Sequence, residues 1–153
     1  MLYDRILVAI DPTPTREHEQ VMRRCHELGT MTGASIYVLY VAPGHIVPGS
    51  IIGGRRPSLA PGAMDVDVDQ AHVAAMQKFV DSLTASGITA SGEIVAATEH
   101  DTAQIILDRA SEHDVDLIIL GHELHVKGRH AHVAEQVLDH HPHRSILLAK
   151  PPA

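Results

Sequence analysis

The chain has 153 residues, 44% apolar and only 3% aromatic, with no Trp and one Phe, so it has the length of one domain and needs an aliphatic core. A formal charge of −7 excludes the basic footprint of a nucleic-acid binder, and the Arg55-Arg56 pair in a Gly/Pro stretch does not supply one. A lone cysteine, Cys25, excludes an intrachain disulfide and suits a reducing compartment.

The first apolar run is Arg5–Ile10, RILVAI. It is near-continuous and β-branched, as strands buried on both faces are. The preceding residues carry Asp4 and lack a cleavable-signal layout. No apolar run nears the roughly 20 residues of a membrane span, so a cytoplasmic protein is expected, with no membrane partner. A first helix starts after Thr13-Pro14, where Thr is an N-cap and Pro suits the first turn. Val21, Cys25 and Leu28 mark its apolar face, and Gly29 or Gly33 ends it. On that face Cys25 reads as a buried thiol.

Ser35–Val41, SIYVLYV, is the second strand. The segment Pro43–Ala63 breaks the rhythm with five glycines and four prolines. No regular structure is expected there; it reads either as a mobile surface insertion or as a lid. The acidic DVDVD stretch, Asp65–Asp69, lacks the glycine and distal glutamate of a calcium loop. It suits the start of a second helix, where the dipole favours negative charge. Val73, Met76, Val80 and Leu83 mark that helix and Gly87 closes it.

Ser91–Ala96 is the third strand. A third helix carries Ala103, Ile106, Leu107 and Ala110, with Asp101 and Gln104 at capping-box spacing. Asp116–Leu120, DLIIL, is the fourth strand. Val133, Val137 and Leu138 mark a fourth helix that stops near Pro142, and Ser145–Ala149 is the fifth strand. Strands alternating with helices give a single doubly wound α/β domain, residues 1–153, with a parallel sheet covered on both faces. Ligands in such sheets bind outside the carboxyl ends of the strands, where strand order reverses. Asp11 and Gly121, just past the first and fourth strands, are the first candidates.

ILVAIDPT (6–13), VDLIILG (115–121) and HVAEQVLDHHPHRSILLAK (132–150) resemble the universal stress protein family over nearly the whole chain. The resemblance implies a Rossmann-like, adenine-nucleotide α-hydrolase-like sheet in the order 3-2-1-4-5. It implies an adenine-nucleotide pocket containing Ala9, Asp11 and Val41, with Asp11 on adenine or ribose. It also implies a homodimer through residues 144–150 and a stress-response role. ATP-binding members carry Gly-x-x-Gly, nine residues, then Gly-Ser or Gly-Thr. This chain reads GHELHVKGRHAHVAEQV from Gly121. Leu124 holds the second glycine position, Ala131-His132 aligns with the Gly-Ser pair, and the loop is about three residues shorter.

The phosphate half is therefore rebuilt or lost. Three readings follow: no nucleotide; a shorter one such as AMP or ADP, held by His132 and the helix N-terminus; or a phosphate held by charge through Lys127 and Arg129 beside Gly128. His122, His125, His130 and His132 share the same loop, so a histidine-ligated metal module is an alternative. A weak nucleotide hydrolase, with histidines in place of the glycines, is another. No nucleophile elbow is present, so binding rather than catalysis is expected. Thirteen histidines would reverse the net charge below about pH 6. His140, His141 and His143 flank Pro142 and read either as caps suited to the carbonyl end of the last helix or as groups that make association pH-sensitive.

Overall fold

A computed structural model describes residues 2–10, 16–43, 51–52, 66–97, 101–121, 136–137, 139 and 144–149. Its elements are β1 (Arg5–Ile10), α1 (Arg16–Thr32), β2 (Ser35–Pro43), β3 (Ile51–Ile52), α2 (Val66–Ala85), β4 (Ala90–Ala97), α3 (Thr102–Glu112), β5 (Leu117–Gly121) and β6 (Ser145–Ala149). Gln136, Val137 and Asp139 are helical as well, within the fourth helical pattern of the sequence. Residues 66–69 of the acidic DVDVD stretch open α2, as their charge suggests, and Asp65 lies outside the described residues.

The strands form one sheet in the order β3-β4-β2-β1-β5-β6. All neighbours are parallel except β3 and β4. The five parallel strands thus run third, second, first, fourth, fifth, the order the family resemblance implies. The antiparallel β3 corrects the sequence reading of Pro43–Ala63 as wholly irregular. Pro43 closes β2, and Ile51 and Ile52 pair with Glu93 and Gly92 of β4. The physical reason is the open edge of β4: its outward N–H and C=O groups accept even two β-branched residues. The rest of that segment lies outside the described residues.

Alternation along the strands sorts the core into two layers. Ile6, Val8 and Ile10 of β1, with Ile36, Val38 and Tyr40 of β2, pack under α1 and α2 through Val21, Cys25, Met76, Phe79 and Leu83. Leu7, Ala9, Leu39, Val41, Ile118 and Leu120 pack under α3 and Val137 on the other face. The doubly buried reading holds for β1, β2 and β5. It does not hold for β6, where Ile146, Leu147 and Leu148 are only half-buried, because β6 ends the sheet.

The helix ends show how local sequence sets register. Gly33 (φ 72°) ends α1, its amide donating to the Gly29 carbonyl. Gly29 is inside the helix and packs so closely that a Cβ there would lie 2.8 Å from Ile88 Cδ1. Gly87 (φ 83°) ends α2 in a Schellman turn, with Ile88 N–H donating to the Leu83 carbonyl. Asp114 (φ 50°) occupies the same position after α3, and Val115 N–H donates to the Ala110 carbonyl. Aspartate is one of the few residues that tolerate this conformation. The expected Asp101–Gln104 capping box does not form. Asp101 makes no side-chain cap hydrogen bond, and Gln104 Nε2 donates instead to Asp108 Oδ1 at 2.8 Å. That i,i+4 pair competes with the reach back to the cap. Cys25 is fully buried in α1, and burial pushes its thiol up, as expected of a structural cysteine.

Candidate functional site

β1 has β2 on one side and β5 on the other, so the strand order reverses there. The register places Ala9 beside Leu120 and Ile10 beside Tyr40. Gly121 therefore stands level with Ile10, and Val41 lies one residue beyond Tyr40. Ala9 and Val41 belong to the layer under α3, and both are fully buried. The structure thus brings together Ala9, Val41 and Gly121 at the carboxyl ends of three adjacent strands. Asp11, His122, Gly128, Arg129 and His132 lie outside the described residues, as do His125 and His130. Among the described residues there is no group of three or more His, Cys, Asp or Glu able to hold a metal ion.

Sequence reading missed His18, which stands at this same end. It sits in the first turn of α1, and its Nε2 lies 2.6 Å from the Tyr40 hydroxyl. Its ring meets Tyr40 and Phe79 edge-on, at centroid distances of 6.0 and 5.5 Å. Burial lowers the His18 pKa below its usual value; Glu19 opposes this and Lys78 adds to it. Burial also pushes the Tyr40 hydroxyl up, so it stays protonated.

The sign of the resulting pH dependence is fixed. The unfolded chain protonates His18 near about pH 6.5 and the folded protein only at lower pH. Stability from this contact is therefore complete above the unfolded pKa and declines as pH falls through it towards the folded value. Urea unfolding at about pH 7.5 and about pH 5.5 is expected to show a smaller drop for His18→Gln than for the wild type. An identical drop in both proteins would remove His18 from the account.

A second cluster missed in the sequence lies on the α3 face. Glu93, in the middle of β4, is 3% exposed. Its Oε1 accepts from the Tyr37 hydroxyl and, at 2.5 Å, from Arg109 Nε of α3. Arg109 also reaches Glu112 at 3.5 Å. These carboxylates raise the Arg109 pKa against the opposing effect of burial. His113 stacks on the Tyr37 ring at 3.8 Å and 26°. The signal was present: SGEIVA carries one acid inside an otherwise apolar strand, and a buried acid needs a cation. Its partner, sixteen residues on, sits in the last turn of the next helix.

At the amino ends of the strands, Asp116 carboxylate oxygen accepts from the amides of Asp4 (2.7 Å) and Arg5 (3.0 Å). These bonds hold its carboxyl below the usual range. They tie the start of β1 to that of β5 and so fix the neighbours that define the switch point. No helix among the described residues is long and apolar enough to cross a membrane.

A doubly wound, mostly parallel sheet with its switch point at the first strand defines an α/β protein of the Rossmann-like type. More particularly, the chain belongs to the universal stress protein family, whose sequence model matches residues 2–147. No curated protein sequence matches the chain. Solved structures share the fold. The universal stress protein from Archaeoglobus fulgidus in complex with dAMP is 23% identical, with a TM-score of 0.64 over 98% of this chain and 100% of that one. The universal stress protein UspA from Lactobacillus plantarum is 21% identical, with a TM-score of 0.64 over 96% and 97%. A family member from Arabidopsis thaliana with AMP bound is 16% identical, with a TM-score of 0.57 over 98% and 93%.

Proposed function

We propose that this universal stress protein works by binding an adenine nucleotide at the carboxyl ends of β1, β2 and β5, and that it favours a monophosphate over a triphosphate. The observation that carries the reading is the meeting of Ala9, Val41 and Gly121 at the point where strand order reverses. The relatives solved with dAMP and with AMP support the ligand class. In this reading the Val41 backbone meets the purine and Asp11 holds adenine or ribose. The rebuilt loop then offers a single phosphate His122, Gly128, Arg129 and His132, with cationic side chains standing where glycine amides would reach a longer chain. Its role is regulatory binding in the cytoplasm rather than turnover, by a homodimer joined along Ser145–Ala149.

Calorimetric titration with AMP, ADP and ATP tests this. AMP is expected to bind, and ATP to bind more weakly than AMP, since the added phosphates meet no matching cradle. Asp11→Ala is expected to abolish the AMP heat. No heat with any of the three nucleotides ends the proposal. ATP binding a hundredfold tighter than AMP, about 2.7 kcal/mol, overturns the monophosphate part alone.

A further inference from the structure

The pole of the sheet opposite the nucleotide crevice carries a bay of its own. α3 has 11 residues and stops at Glu112, whereas α2 has 20. At about 1.5 Å per residue α3 spans roughly 16 Å, against roughly 26 Å for an eight-residue strand such as β4. Among the described residues, no helix contributes to the lining at the amino end of the sheet on that face. A cavity of about 220 Å³ occupies it, lined by Arg5, Ser35, Tyr37, Ser91, His113 and Val115. Arg5 and Ser35 are exposed and Ser91 is half-buried. Ile6, Ile36, Ala90 and Val115 stand among the polar residues of the lining, so the bay is mixed in character.

The lining defines a chemistry. The stacked pair of Tyr37 and His113 makes one flat wall, and Val115 adds an apolar one. That wall is braced from behind, because the Tyr37 hydroxyl is held by Glu93, itself fixed by Arg109. Hydroxyls of Ser35, Ser91 and Thr89 stand around it. Arg5 supplies the permanent positive charge. Its Nη1 contacts Asp114 at 3.2 Å, in an ion pair whose side chains are 56% and 85% exposed. A pair so open to water contributes little and yields readily to a competing carboxylate, and a guanidinium presents five N–H donors. One such cation balances a monoanion and leaves a dianion half-compensated. The volume exceeds the roughly 150 Å³ that accepts benzene and falls short of the roughly 300 Å³ where drug-sized sites begin.

From this we propose that the bay is a second ligand site, for a small monocarboxylate bearing a single ring or short branched chain, separate from the nucleotide crevice. The carboxylate meets Arg5 and the hydroxyls of Ser35 and Ser91, and the ring lies against the Tyr37–His113 wall.

Amide NMR shifts on titration with benzoate, benzyl alcohol and inorganic phosphate test it. Benzoate is expected to shift Ser35, Ser91 and Val115 saturably below about 10 mM, with benzyl alcohol about tenfold weaker and phosphate inert at those residues. Saturating AMP is expected to leave the benzoate titration unchanged. Ser91→Leu, which fills the bay, is expected to abolish the shifts. Arg5→Gln, at an exposed position that spares the core, is expected to weaken benzoate about tenfold while leaving benzyl alcohol unchanged. Absence of a saturable shift, equal binding of the alcohol, or shifts at Ala9 and Val41 that AMP displaces would each overturn the proposal. The benzoate, benzyl alcohol and phosphate titrations and both substitutions read out the bay whether or not AMP itself binds.

Discussion

Replacing Arg109 by methionine is expected to destabilise the protein by about 3 kcal/mol, the lower end of the roughly 3–5 kcal/mol seen when a buried pair loses one partner. The lower end applies because the Arg109 side chain is 27% exposed, whereas that of Glu93 is 4% exposed. Methionine keeps the stem that packs under the sheet and removes only the guanidinium. Glu93 then retains the Tyr37 hydroxyl but has no charge to balance it in a place water reaches poorly. The companion variant Glu93→Leu with Arg109→Met removes both charges and is expected to recover most of the loss, since an apolar pair of similar volume is often neutral or better. Urea unfolding of the two variants against the wild type gives the comparison. If Arg109→Met alone proves as stable as the wild type, Glu93 does not depend on its ion pair and the bracing of Tyr37 needs another source.

That network marks the limit of what the sequence disclosed. β1 and β5 were legible because RILVAI and DLIIL are β-branched and continuous, and only a strand covered on both sides can be so. The ends of α1 and α2 were legible in part, since Gly33 and Gly87 stand where a left-handed residue must follow a helix. The order of the parallel strands came from family resemblance, because alternation alone does not say which strand is central. Glu93 was visible as a lone acid in an apolar strand, but its partners were illegible for a different reason. Tyr37 and Glu93 stand diagonally across β2 and β4, with Leu39 level with Glu93, and Arg109 arrives from a helix packed above them. Three residues separated by up to seventy-two positions meet only after the sheet has assembled. Local spacing carries no trace of that. His18 was hidden likewise, for its partners Tyr40 and Phe79 come from two other elements. Of the proposed crevice, Gly121 was legible as the end of a strand, Ala9 and Val41 came through the family resemblance, and the phosphate side rests on residues outside the described ones.

The second large effect is expected at Gly92. It lies in β4 level with Val38 and Ile52, on the face covered by α2. A Cβ built there would stand 2.5 Å from Met76 Sδ and 2.9 Å from the Val38 carbonyl oxygen. The sulfur is the end of a flexible side chain and can turn away. The carbonyl oxygen belongs to the adjoining strand and can withdraw only by stretching the ladder. Gly92→Ala is therefore expected to destabilise by about 2 kcal/mol, within the roughly 1–3 kcal/mol typical of overpacking. Combining it with Met76→Ala is expected to relieve only the sulfur contact. The difference between the double variant and the sum of the singles measures how much of the strain is backbone. A Gly92→Ala protein with an unchanged urea midpoint would mean that β4 can shift away from β2 without loss.

The two lateral margins of the sheet differ in a way that bears on how large an assembly can grow. On one flank the short β3 pairs with Gly92 and Glu93; on the other, among the described residues no strand lies beyond β6, where Ile146, Leu147 and Leu148 are half-buried. In the homodimer proposed above, two β6 flanks would join and each would consume the other, so that the pair closes on itself.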